Sequence, residues 1–151
     1  MKTVFIGADH AGFNLKQELR RFLEHLGYKV VDVGAYALEP ADDYPFFAYK
    51  VAKAVAQGKV LGILACGSAE GICIAANKVK GVRAVPVWSL RNARLSREHN
   101  DANVLCLSGW EIAPARAKKI VKTWLETAFS GAERHVRRLK QIEKIEHGKS
   151  P

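Results

Sequence analysis

A one-domain α/β fold, built on a parallel sheet with helices on both faces, is predicted by three observations. Five short apolar runs, the first of them β-branched and aromatic, recur along the 151 residues at lengths that suit strands. Segments with apolar residues at helical spacing separate those runs. Glycines and prolines mark most of the junctions between them. Strands that alternate with helices argue for βαβ units, so a Rossmann-like three-layer sandwich with five parallel strands and an added C-terminal helix is expected. A chain of this length suits one domain, residues 1–151, with a sizeable core.

Residues 2–6 (KTVFI) form the first strand, which ends at Gly7-Ala8-Asp9-His10. Leu15, Leu19, Phe22, Leu23 and Leu26 follow at helical spacing, and Gly27 closes that helix. Residues 28–33 are the second strand, stopped by Gly34. A loop with Pro40, Asp42 and Asp43 leads to a helix over 46–57. The third strand, 60–65, runs to Cys66 and the small-residue loop Gly67-Ser68-Ala69-Glu70-Gly71, after which 72–76 start a helix. Residues 82–87 are the fourth strand, the basic stretch 89–98 a helix, and 103–107 the fifth strand. Ile112, Lys119, Ile120, Trp124 and Ala128 mark a long helix after Gly109. Beyond Gly131, Val136, Leu139, Ile142 and Ile145 repeat every three residues among arginines and lysines. A lone amphipathic helix this short is marginal in water, so the tail, about 131–151, is expected to pack on its own domain or on another subunit.

Composition narrows the function classes. No apolar run approaches the ~18 residues of a membrane span, and the N-terminus opens directly into a strand, so neither a membrane segment nor a signal peptide is expected. The three cysteines cannot all pair and have no C-x-x-C spacing, which points away from a disulfide framework or zinc site and toward a reduced, cytoplasmic protein. The net charge of +9 is uneven: residues 1–60 carry eight Lys+Arg against seven acids, and 61–151 carry sixteen against eight. The basic half implies an anionic partner. Phosphate esters and an acidic partner remain open, as does a solvated basic surface; without a zinc finger, an aromatic-interleaved motif or a long basic run, nucleic acid is a poor fit.

The chemistry concentrates in residues 62–78, GILACGSAEGICIAANK. Strand, small-residue loop and helix aim several backbone N–H groups at one point, with a thiol at its rim. Cys66 at a helix N-terminus is expected to have a lowered pKa and to supply thiolate, although most buried cysteines are inert. Cys73, inside a helix, and Cys106, inside a strand, read as structural. Ligands of open α/β sheets bind outside the carboxyl ends of the strands, and Asp9-His10, the Cys66 loop and the region leading to His99 are expected to converge there. Asp9 equally suits a helix cap, and His99 a surface position; His25 and His147 read as solvated. Glu70 has no assigned role. A cysteine phosphatase lacks its arginine, since position 72 is Ile. A nucleotide-binding module lacks both a P-loop ending and G-x-G-x-x-G.

Four segments together carry a family resemblance: Asp9-His10, Asp43-Tyr44-Pro45, Cys66-Gly67-Ser68-Ala69-Glu70-Gly71 with Ala75-Ala76-Asn77-Lys78, and His99-Asn100-Asp101. Over nearly the whole chain the sequence resembles the sugar-phosphate isomerases of the ribose-5-phosphate isomerase B type. The resemblance implies an aldose–ketose isomerase that interconverts ribose 5-phosphate and ribulose 5-phosphate through an enediolate, with neither metal nor organic cofactor. It implies Cys66 as the base at carbon, His99 as the ring opener, Asp9 near the ring oxygens and Ser68 as a proton shuttle. Backbone N–H groups from Gly67 to Gly71 would cradle the enediolate, Asn100 would bind a substrate oxygen, and Tyr44 would line the pocket. His10, Arg134 and Arg138 would hold the phosphate; the two arginines lie four apart, on one face of a helix. A homodimer or dimer of dimers is implied as well, with sites assembled across the interface. Four departures from the family pattern bear on the substrate. Ser68 replaces Thr, Ala69 replaces Gly, Trp110 stands where many members place a phosphate-binding arginine, and 88–91 lacks the usual acidic and aromatic residues. A six-carbon substrate such as allose or galactose 6-phosphate is therefore the alternative, and a non-catalytic sugar-phosphate- or nucleotide-binding module the alternative from another class.

Overall fold

The strands and helices alternate as expected in the computed structural model, which describes residues 2–58 and 60–151. In chain order the elements are β1 (Thr3–Ala8), α1 (Phe13–His25), β2 (Lys29–Asp32), α2 (Tyr44–Gln57), β3 (Leu61–Cys66) and α3 (Glu70–Ala76). They continue with β4 (Ala84–Pro86), α4 (Leu90–Asn100), β5 (Val104–Ser108), α5 (Pro114–Glu126) and α6 (Glu133–Glu146). Every strand pair is parallel, in the order β2-β1-β3-β5-β4. Boundaries move by a few residues. The long helix begins at Pro114, whose fixed φ suits the first helical turn, and ends before Ala128.

The order follows burial. β5 (VLCLS) is buried at every position and lies inside the sheet, as a strand covered on both faces must. β4 has three residues and ends in Pro86, which has no N–H for a ladder, and it takes an edge. Alternate residues feed two cores. Val4, Ile6, Ile63, Ala65, Leu105 and Leu107 pack with Leu19 and Leu23 of α1 and Ile120 and Trp124 of α5. Leu64, Cys66, Val104 and Cys106 face α2 and α3 on the other side.

α6 packs back on its own chain. His135 is buried, Gly81 N–H donates to Glu146 Oε1, and a groove between Val136, Leu139 and residues 80–83 marks the seam. Ile142 and Ile145 remain exposed.

The structure corrects one expectation about position. α4 starts beyond the carboxyl end of β4 and runs back, so His99 and Asn100 lie beside the amino end of β5. Arg83, just before β4, donates through Nε to the Asn100 carbonyl at 3.1 Å. A crossover helix must return the chain to the start of the next parallel strand, so its last turn cannot share the strand ends with Cys66. Arg134 and Arg138 follow His99 to that end, because the His135 ring stacks on the His99 ring with centroids 4.3 Å apart.

Candidate active site

Cys66 closes β3, and the chain then turns through 67–69 into α3. Ala69, the residue before that helix, adopts φ 71°, a left-handed conformation in which Cβ crowds the following carbonyl. The turn folds the backbone amides of Ser68, Ala69 and Ile72 toward the Cys66 sulfur. The expected low thiol pKa is nevertheless corrected. Burial pushes the thiol above its usual value, and the Ile72, Ala69 and Ser68 amides only partly offset it; the Asp9 charge pushes the same way as burial. α3 has seven residues, too few for a strong dipole. In the free chain Cys66 rests as a thiol.

Two glycines let aromatic walls close on this loop. A Cβ on Gly67 would stand 2.5 Å from the Trp110 ring, and one on Gly71 would stand 2.6 Å from the Tyr44 ring. Only bare backbone fits beneath each ring. Trp110, 74% exposed, thus roofs one side of the cleft and Tyr44 the other. The loop is also pinned from β5: Ser108 Oγ donates to the Gly67 carbonyl at 2.6 Å, and Gly109 N–H donates to the Cys66 carbonyl at 2.8 Å.

The resulting cleft of about 360 Å³ lies beyond the carboxyl ends of β1 and β3 and is lined by Asp9, His10, Tyr44, Cys66, Gly67, Ser68, Glu70, Gly71, Ile74 and Trp110 among others. Asp9 is buried and accepts from Gly12 N–H at 3.1 Å, so it braces the turn into α1 while facing the cleft. Burial raises its pKa, against the pull of the Gly12 N–H. Ser68 Oγ lies 3.4 Å from Glu70 N–H, in the first turn of α3, where an acid suits the positive helix end. Glu70 itself is exposed.

His10 meets a partner from the loop before α2. Asp42 Oδ1 accepts from the His10 backbone N–H at 2.9 Å and lies 2.8 Å from His10 Nδ1. The Asp42 hydrogen bond raises the His10 pKa. Asp9, His10 and Asp42 hold donor atoms within 4.8 Å of one another, among the described residues the one grouping close enough for a metal ion. His10 Nδ1 is already engaged by Asp42, which makes the grouping a hydrogen-bonded pair beside a bracing carboxylate.

Of the residues expected at the site, Cys66, Ser68, Gly67, Gly71, Asp9, His10 and Tyr44 come together in this cleft. His99, Asn100, Arg134 and Arg138 do not; they form a second cluster at the opposite end of the sheet. There His135, 6% exposed, is held below its usual pKa by burial and by the nearby His99, Arg134 and Arg138 charges. Sequence reasoning passed over Asp42 and His135. Asp42 sits in an acidic loop 32 residues from His10, and only the fold joins them. His135 carried a cue in standing between Arg134 and Arg138. A larger hollow, near 630 Å³, lies by Tyr28, Arg97 and Phe129 and contains none of the residues expected at the site.

Comparison with known proteins places this geometry. The profile of the family described as Ribose/Galactose Isomerase matches residues 4–142. Ribose-5-phosphate isomerase B of Escherichia coli (strain K12) is 45% identical over 147 residues, 97% of each chain. The solved ribose-5-phosphate isomerase B of Clostridium thermocellum superposes with a TM-score of 0.94 at 46% identity, covering 97% of this chain and 98% of that one. The enzyme of Mycoplasma genitalium, solved with bound ribulose-5-phosphate, gives a TM-score of 0.93 at 44% identity over 96% of each chain.

Proposed function

The chain belongs to the ribose/galactose isomerase family, and on that premise we propose that it interconverts ribose 5-phosphate and ribulose 5-phosphate by ring opening and proton transfer through an enediolate. One observation carries the reading. The cleft at the carboxyl ends of the strands holds Cys66, Ser68, Asp9 and a ring of backbone N–H groups together, in a chain 44% identical to an isomerase solved with ribulose-5-phosphate bound.

In this reaction Cys66 takes the proton from carbon and returns it to the neighbouring carbon. The N–H groups of the 67–71 loop stabilise the enediolate oxygens, donors already fixed in place before charge develops. Ser68 passes protons between the two hydroxyls. Asp9 stands at the ring oxygens, and Tyr44 lines the wall. His99 opens the ring, Asn100 binds a substrate oxygen, and Arg134 and Arg138 grip the phosphate together with His10. Because His99, Asn100 and the arginines lie at the far end of the sheet, they serve this cleft from a second copy of the chain. A homodimer, or a dimer of dimers, is therefore the working unit. The incoming positive charge of the guanidinium groups favours thiolate over thiol at Cys66 and offsets part of the effect of burial.

The three cysteines are free, which suits a reducing compartment, and we assign the enzyme to the cytoplasm. Among the described residues no helix is long and apolar enough to cross a membrane. Trp110 favours a second reading of the substrate. Its exposed indole against Gly67 offers a sugar a stacking face in place of a cation, so a six-carbon sugar phosphate such as allose or galactose 6-phosphate is the alternative. The test is aldose–ketose exchange by the pure protein over a panel of pentose 5-phosphates, hexose 6-phosphates and the free sugars. The highest kcat/KM is expected for ribose 5-phosphate. Exchange of a hexose phosphate alone moves the assignment to the alternative, and exchange of none returns the chain to a binding module.

A further inference from the structure

His10 and Asp42 come from different loops and meet at the mouth of the cleft. Asp42 Oδ1 receives both the His10 backbone N–H and the Nδ1 side of its ring, at 2.9 and 2.8 Å. The Asp42 side chain is only 10% exposed, and its second oxygen, Oδ2, is buried with no partner among the described residues. A largely buried carboxylate with one empty oxygen depends chiefly on His10 for its compensation. That dependence holds the ring by Nδ1 and leaves Nε2 as the nitrogen free to meet a ligand. The ring itself is partly exposed and lines the cleft.

We propose that Asp42 is a positioning residue for His10, fixing its imidazole by Nδ1 so that Nε2–H stands at the cleft as a preset donor to the anionic group of the substrate. This rests on the reading of His10 as a phosphate ligand given above. The device differs from an arginine grip: the acid behind the ring favours the protonated imidazole, so the donor is made locally and its charge is balanced by the residue that holds it. The charged groups around the ring agree with this. Asp9 on the same loop adds to the pull of Asp42, while Glu70 lines the same cleft at its exposed rim. Cys66 and Tyr44, which line the same cleft, are the other titratable groups on this side.

The alternative is a mere tie between two loops, and Asp42→Asn separates the two. Asparagine keeps an acceptor for both His10 donors and removes the charge. For Asp42→Asn, KM for ribose 5-phosphate should rise ~10-fold at pH 7.5 with kcat within about twofold, because a charge-assisted contact becomes a neutral one. The upturn of KM with pH should move to lower pH than in the wild type; ionisation of the phosphate itself is common to both proteins and cancels. Ring ¹⁵N spectra of the free protein should show the His10 titration shifted down in the variant, with the proton no longer confined to the wild-type pattern. Asp42→Glu, which restores a carboxylate, should recover part of the KM. If Asp42→Asn matches the wild type in KM and in the His10 titration, Asp42 only ties the loops and the proposal fails. A variant KM that is unchanged while His10→Ala raises it overturns the role of Asp42 alone. An unchanged KM in His10→Ala overturns the reading of His10 as a ligand, and the proposal with it, even where the spectra confirm the pairing.

Discussion

At Cys66 two effects oppose each other, and burial wins over the loop amides in the free chain. Its pKa lies above the ordinary thiol value of about 8.5, so the thiolate grows only on the alkaline side. Two results follow. The kcat/KM should climb as pH rises toward that range. Folding stability should decline there, since the unfolded chain ionises the thiol first: the contribution is whole below the unfolded value and lost as pH rises through the folded one. Cys66→Ala should lose ~10²–10⁴-fold in solvent-proton exchange at substrate C2 while still binding a substrate analogue, and near-wild-type exchange would refute the assignment. Ala69 gives a stability prediction. Its left-handed backbone costs roughly 1–2 kcal/mol, while glycine loses an extra ~0.5–1 kcal/mol of chain entropy on folding. Ala69→Gly should therefore stabilise by about 0.5–1 kcal/mol in urea melts, and a loss would mean the Ala69 Cβ contributes more packing than strain. At this scale the sequence was most legible for side chains whose neighbours are local: Cys66, Ser68 and Tyr44 lie where their motifs suggest. Asp42 was not legible, because its partner is brought to it only by the pairing of β1 with β2 and the return into α2.

At the scale of elements, alternation of strand and helix was readable because each strand is a short apolar run with a punctuating glycine or loop. The edge position of β4 had a cue in Pro86. The direction of α4 is the instructive miss. Proximity in sequence to a strand suggests proximity to its carboxyl end, but a crossover helix spans the whole sheet and separates its two termini. α1 supplies a test of how the sheet edge is held. Lys16 is fully buried, and its Nζ donates to Asp32 at 2.7 and 2.8 Å and to the Ala35 carbonyl at 2.6 Å, joining α1 to β2 and the loop after it. Removing one partner of a buried pair leaves the other charge uncompensated, worth about 3–5 kcal/mol. Lys16→Met should destabilise toward the lower end, since Asp32 keeps the Gly34 N–H at 2.9 Å. A loss below 1 kcal/mol in denaturant unfolding would show that the pair contributes little beyond packing.

For the whole molecule, the proposed reaction draws on both the Cys66 cleft and the His99 cluster, and one chain keeps them at opposite ends of its sheet. The charge asymmetry seen in the sequence fits this division: the basic second half supplies Arg134 and Arg138, and the first half supplies Asp9 and Asp42. On the proposed reading, a closed, twofold pair of copies is the arrangement that would bring each cleft to the other's cluster. The direct test refolds Cys66→Ala and His99→Ala chains together in equal amounts. Half of the dimers then hold one chain of each kind, and one of their two sites has both residues, so about a quarter of wild-type activity should return from two inactive parents. If the mixture stays as inactive as either parent although mixed dimers form, the two residues do not share a site across copies, and the account is wrong.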